Sequence, residues 1–292
     1  TLCTYDPGGG GGDIFNMMKD FRLEALDPCK ALKQSKDECD VKGVDFELKP
    51  YTDEKTATED FRAGQCDAVL ITGTRARQFH KFSGTLEAMG AVPEYKQLKK
   101  VIGTLSRAKA SKLMRSGDFE AAGVFPGGAI YLFVADRSVD TVAELAGKKI
   151  ATLAFDKAAK TMMRKVGASL IAADVSTFAG QFNSGSVDAC YAPAFAYKAL
   201  ELYKGLKNKG GIIRYPLAQM TLQLLVRTKD FPSGFPQKAR ELSYRSFSRA
   251  MKMGNIAEKD FKKSHWVDIP SEDKAKYDEM FLDVRVELRD KA

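Results

Sequence analysis

Arg75 and Arg77 stand just beyond an uninterrupted apolar run, Ala68–Thr72. Two guanidinium groups at that position could hold a small carboxylate through paired N–H···O bonds. The five-glycine run Gly8–Gly12 is the other conspicuous feature near a strand end. It cannot complete G-x-G-x-x-G, because Asp13 occupies the last glycine position, and it lacks the G-K-[ST] ending of a phosphate loop. Two uses remain open for it: close backbone approach to a ligand, or a flexible hinge loop. His80 and His265 have no partner at metal-ligand spacing, and no CxxC pair exists, so no metal site is assigned. Asp53/Glu54 and Glu59/Asp60 fall beside helix starts, where acids favour the dipole, and read as caps. No G-x-S-x-G elbow occurs. No catalytic residue and no cofactor is therefore assigned, and the expectation is a protein that is not an enzyme.

The five cysteines are Cys3, Cys29, Cys39, Cys66 and Cys190. Cys29 and Cys39 bracket a polar insertion, PCKALKQSKDEC, that reads as a stapled excursion. In an oxidising compartment so short a bridge would add roughly 2–3 kcal/mol. Cys3 and Cys66 open two strands expected to be neighbours and form a second candidate pair, which leaves Cys190 as a buried thiol. The alternative is five reduced core cysteines.

These groups need a frame. The chain has 292 residues, 44% hydrophobic and 29% charged, with a net charge of +8, which suits a globular protein of two domains. The lysines are scattered rather than massed, so the surface reads as solvated, with weak attraction to anionic head groups or an acidic partner as the other reading. No nucleic-acid module is visible. The first residue is Thr1, which fits an exported chain whose signal peptide has been removed, or a trimmed one. The longest uncharged stretch, Ala121–Ala135, is too short to span a bilayer.

Leu2–Asp6, Val44–Leu48 and Ala68–Thr72 read as strands, separated by a helix with its apolar face on Ile14, Phe15, Met17, Met18, Phe21 and Leu26, capped by Asp13, and by the helix Thr56–Ala63. A second α/β unit begins after about residue 125, with strands at Ile130–Ala135, Lys149–Leu153 and Val187–Ala192. Helices are expected at Thr141–Ala146 and Lys157–Val166, and long ones at Gln237–Met253 and Ser271–Leu288. FRAGQCDAV at 61–69 and FNSGSVDAC at 182–190 share F-x-x-G-x-x-D-A, a helix end, turn and buried strand, which suggests two related halves.

The stretches CTYDPGGGGGDIFNMMKDF, YTDEKTATEDFRAGQCDAVLITGTRARQFHKFSGTLEAMGAV, FEAAGVFPGGAIYLFVADRSVDTVAELAGKKIATLAFDKAA, FNSGSVDACYAPAFAYKALELYKG and GGIIRYPL follow in order over about residues 1–220. Together they resemble a family of periplasmic solute-binding proteins associated with RND-type exporters and distantly similar to TRAP receptors. Within it the chain is most similar to the periplasmic component of a bacterial sterol transporter. The Cys29–Cys39 insertion departs from that pattern. The resemblance implies an α/β, two-lobed type II periplasmic-binding-protein-like clamshell, each lobe an open, mostly parallel sheet flanked by helices. Lobe I would be 1–124 plus 222–292 and lobe II 125–221. It also implies residence in the periplasm, a 4-methyl-type sterol held between the lobes and carried between inner and outer membrane, and as partners an inner-membrane RND-type transporter and an outer-membrane-associated protein, with no nucleic acid.

Ligands of open α/β sheets sit at the carboxyl ends of strands. The expected contacts are Tyr5, Asp6, Thr72, Gly73, Thr74 and Arg75 from the first lobe, and Phe155, Asp156, Tyr191, Ala192 and Pro193 from the second. The crossing stretches 120–134 and 213–227 add Glu120, Phe125, Tyr131, Phe133 and Met220. Glu120, Tyr131 and Asn183 are expected to fix a sterol hydroxyl. The alternative is a TRAP-like receptor for a small carboxylate held by Arg75/Arg77. It ranks second here because Phe155-Asp156 presents an acid where a TRAP-type protein is expected to present a base.

Overall fold

The apolar run Ala68–Thr72 forms a buried strand, as its composition demands, and the strands that flank it define the first of two units. The computed structural model describes residues 1–291. The first unit comprises 1–86, 95–127 and 221–252, and the second 87–94, 128–220 and 253–292. In chain order the strands are β1 (Leu2–Tyr5), β2 (Leu48–Tyr51), β3 (Ala68–Thr72), β4 (Arg115–Ser116), β5 (Phe119–Val134), β6 (Lys149–Leu153), β7 (Ser169–Ala173), β8 (Ala189–Pro193), β9 (Gly211–Ile213), β10 (Ala218–Arg227) and β11 (Trp266–Val267). Strands β5 and β10 each belong partly to both units, dividing at 127/128 and 220/221.

In the first unit the order is β2-β1-β3-β10. β1 runs parallel to β2 and β3, with Leu2 opposite both Leu48 and Ala68. β10 runs antiparallel to β3, Leu222 facing Thr72. The strand expected at Val44–Leu48 starts instead at Leu48, because Phe46 turns into an aromatic cluster with Phe21, Phe231 and Phe235. The helix Asp13–Ala25 buries the face read from its spacing, except that Leu26 is exposed. Its cap position is Gly12, not Asp13. Cys3–Cys66 and Cys29–Cys39 are both bridged, with Cα separations of 5.9 and 5.6 Å, and Cys190 is a buried free thiol.

In the second unit the order is β5-β8-β6-β7. β6 is parallel to β7 and β8, and β5 is antiparallel to β8, with Ile130 opposite Pro193. β9 joins β5 antiparallel and carries β11 parallel at its other edge. β7 is a strand that the sequence reading does not include: its apolar run, residues 170–173, is only four residues long, and periodicity does not tell so short a run from a piece of helix. Only one turn of helix, Ala143–Leu145, forms in the expected helical stretch 141–146.

The C-terminal segment lies elsewhere than expected. Residues 221–252 belong to the first unit, but 253–292 belong to the second. The helix Lys274–Asp290 buries Tyr277, Met280, Phe281 and Val284 in a core with Ile150, Met162 and Leu145. Its Glu287 meets Arg164 and, at 3.5 Å, Lys165. Apolar burial on that scale outweighs proximity along the chain. Among the described residues no helix is long and apolar enough to cross a membrane.

Candidate ligand site

Glu54 opens the helix Glu54–Arg62 after the Asp53 cap, and it is only 1% exposed. One carboxylate oxygen accepts the Thr72 backbone N–H at 2.6 Å, and the other accepts Arg75 Nε–H at 3.0 Å. The Thr72 hydroxyl accepts the Arg75 backbone N–H at 3.4 Å, capping the short turn Gly73–Ala76. The Arg75 guanidinium, 7% exposed, is thus oriented at the carboxyl end of β3 by a carboxylate that grips its Nε side. A guanidinium so held is a planar donor with its direction fixed in advance.

Tyr5, at the end of β1, is buried beside this pair. Burial, followed by the charges of Glu54, Asp6 and Asp53, pushes its phenol far above the ordinary range, against the pull of Arg75. Tyr5, Thr72 and Arg75 are therefore brought together around Glu54. Arg77 is not part of the group. Its Nη2 donates to the Gly84 carbonyl at 3.0 Å, because positions two apart on a helical turn do not share a face. Of the two arginines expected to act as a pair, only Arg75 lies with Glu54 and Tyr5.

The glycine run has a structural reason. Asp6 accepts the Gly8 N–H at 2.7 Å and the Phe15 N–H at 2.8 Å, so its carboxylate fills the N-terminus of the helix Asp13–Ala25. A Cβ on Gly12 would come within 2.1 Å of both Asp6 oxygens. The sequence expectation of a ligand-facing Asp6 gives way to an aspartate that occupies the anion position itself.

The second unit has a parallel arrangement. Asp156 accepts the Ala158 and Ala159 N–H groups, each at 3.0 Å, at the start of the helix Lys157–Lys165. The Tyr191 hydroxyl donates to Asp156 Oδ2 at 3.2 Å and accepts the Leu153 N–H at 3.2 Å. Burial first, then the Asp156 charge, raises the Tyr191 phenol well above its usual range. Half-exposed Phe155 and Pro193 lie at the same strand ends, while Ala192 is buried opposite Tyr131.

Several expected contacts are otherwise engaged. Glu120 is ion-paired to Arg240 at 2.5 Å. Asn183 donates to the Leu200 carbonyl at 3.1 Å and accepts the Gly205 N–H at 3.2 Å, tying a helix to a loop. The Tyr131 hydroxyl donates to Glu258 at 3.1 Å, and its ring meets Phe261 and Trp266 edge-on. Phe125 and Phe133 are 0% exposed, the first against Phe21 and the second against Tyr197 and Phe261, and Met220 is buried. Sequence reasoning missed Glu54, whose place directly after a capping aspartate made it look like a second cap. Among the described residues no cluster of three or more His, Cys, Asp and Glu side chains is placed to hold a metal.

A family model described as Solute-binding protein AdeT 1/2 matches residues 1–292. The "Probable solute-binding protein AdeT1" of Acinetobacter baumannii is 37% identical over 284 residues, 97% of this chain and 89% of that protein. Among solved structures, a TRAP periplasmic solute-binding protein from Desulfovibrio salexigens with bound orotic acid superposes with a TM-score of 0.77 at 13% identity, over 98% of this chain and 91% of that one. One from Sulfitobacter sp. NAS-14.1 with bound β-D-galacturonate gives 0.75 at 12% identity, over 98% and 94%. The fold is the type II periplasmic-binding fold that the sequence resemblance implied.

Proposed function

The chain belongs to the Solute-binding protein AdeT 1/2 family, and from that premise we propose that it is a periplasmic receptor for a small organic acid, which it binds and does not transform. The observation that carries this reading is Arg75, nearly buried at a strand end with its guanidinium oriented by Glu54. The fork is suited to a ligand carboxylate, and its fixed direction lowers the ordering cost of binding. Both fold relatives described above were solved with a small ligand that carries a carboxylate. Tyr5 and Thr72 flank the arginine and would contact the rest of the solute.

This puts the carboxylate reading ahead of the sterol reading. A sterol needs an apolar lining, and Phe125, Phe133 and Met220 are spent on core packing. Glu120 and Asn183, meant to hold its hydroxyl, have protein partners already. The proposed partner is a membrane transporter that takes up the released solute. The RND-type exporter and the outer-membrane protein rest on the sequence resemblance alone.

The test is titration calorimetry with orotate, galacturonate and malonate, alongside native mass spectrometry with a 4-methyl sterol. Saturable binding of at least one acid and none of the sterol is expected. Sterol binding with no acid bound would overturn the reading.

A further inference from the structure

The single tryptophan of the chain, Trp266, stands half-exposed on β11 of the second unit, among lysines. Two segments meet there. Ile212 of β9 pairs with Trp266 of β11, and Arg137 clips the segments together by donating to the Gly210 carbonyl at 3.1 Å and the Ser264 carbonyl at 2.8 Å. Residues 203–214 carry Lys204, Lys207, Lys209 and Arg214, all exposed, and no acid, and Lys262 and Lys263 add two more exposed cations. Lys204 and Arg214 are paired with Glu201 and Asp268. Among the described residues Lys207, Lys209, Lys262 and Lys263 have no ion-pair partner. After burial, the nearby Lys262 and Arg137 charges help to hold His265 below the usual imidazole range.

Lys207 has a backbone at φ 49°, ψ −133°, a conformation that suits glycine and strains a side chain. The Lys207 ammonium is therefore presented from a backbone position that costs stability. Tyr203, 40% exposed, adjoins Lys204 in the chain, and the Arg214 guanidinium lies over the Trp266 ring at 5.1 Å.

We infer that this face docks on an anionic phospholipid surface. Compact ammonium charges suit a diffuse array of phosphates, whereas recognition of one acidic protein would favour arginine forks. Trp and Tyr among lysines match the headgroup level of a bilayer, where such rings settle. The inference is independent of the solute.

The probe is vesicles of phosphatidylcholine with and without phosphatidylglycerol, read by co-sedimentation and by the emission of Trp266. Binding is expected only with phosphatidylglycerol, with a blue shift, and it should be released by high salt. Lys207→Gly should weaken it about fivefold, one lysine's worth, while leaving the melting temperature unchanged or higher because the backbone relaxes. Lys209→Ser/Lys263→Ser should weaken it further. The equally charged control Lys36→Ser/Lys42→Ser, exposed positions of the first unit, should bind as the parent does. Failure of the parent to bind phosphatidylglycerol vesicles overturns the inference, even if an acidic protein binds this face. An equal loss in the control also overturns it, since net charge alone would then be responsible.

Discussion

Arg240 Nη1 lies 2.5 Å from Glu120 Oε1, with the arginine 2% exposed. The same guanidinium also donates to the Ala121 carbonyl, the Ser111 hydroxyl and Gln237 Oε1, so it joins β5 to the helix Phe235–Arg245. Glu120 is therefore a structural counter-ion. Glu120→Ala leaves a buried cation uncompensated and should cost about 3–5 kcal/mol, measured by urea unfolding, with solute affinity unchanged in the folded fraction.

Arg75 makes the opposite prediction. Arg75→Lys keeps a cation against Glu54 but loses the planar fork, so the protein should fold and bind its acid more weakly by about 1.5–3 kcal/mol. Arg77→Lys, whose parent side chain serves the Gly84 carbonyl, should bind normally. Calorimetry on both variants distinguishes them, and equal losses would remove Arg75 from the site.

The two bridges differ in span. Cys3–Cys66 closes a separation of 63 residues and Cys29–Cys39 one of 10. Chain entropy assigns about 4 kcal/mol to the first and about 3 kcal/mol to the second. The Cys3→Ala/Cys66→Ala variant should melt lower than Cys29→Ala/Cys39→Ala, and scanning calorimetry checks the order.

The glycines of the first loop are not interchangeable. Gly11 has open space where a Cβ would point and no positive φ, so Gly11→Ala should stabilise by about 0.4–1 kcal/mol. Gly12→Ala would drive a methyl into the Asp6 carboxylate and break the cap on Phe15, so it should destabilise strongly. Denaturant midpoints of the two variants give the comparison.

His80 is buried, and its Nδ1 accepts the Ser83 N–H at 3.0 Å. Burial is the main cause that lowers its pKa in the fold. The unfolded chain then takes up a proton more readily, so stability is present above the ordinary value near 6.5 and is lost as pH falls through it. His265 is shifted the same way, by burial, Lys262 and Arg137. Unfolding free energy measured from about pH 7 to about pH 5 should fall, and less steeply in His80→Asn.

Local information was sufficient for much of this. The run Ala68–Thr72, the glycine loop, the face of the helix Asp13–Ala25 and the Cys29–Cys39 staple all depend on residues near one another in sequence, and the α/β alternation follows from them. The strand-end positions of Tyr5, Thr72 and Arg75 also follow from the local pattern, because each lies at or just past the end of a short apolar strand.

The tertiary structure decided what those side chains are bound to. Glu54 reaches Arg75 across 21 positions, and Arg240 reaches Glu120 across 120. Partners that distant leave no trace in local pattern. Burial likewise fixed Phe125 and Phe133 as core and drew residues 253–292 into the second unit, since apolar area removed from water depends on which surfaces meet in space, not on which residues follow one another in the chain.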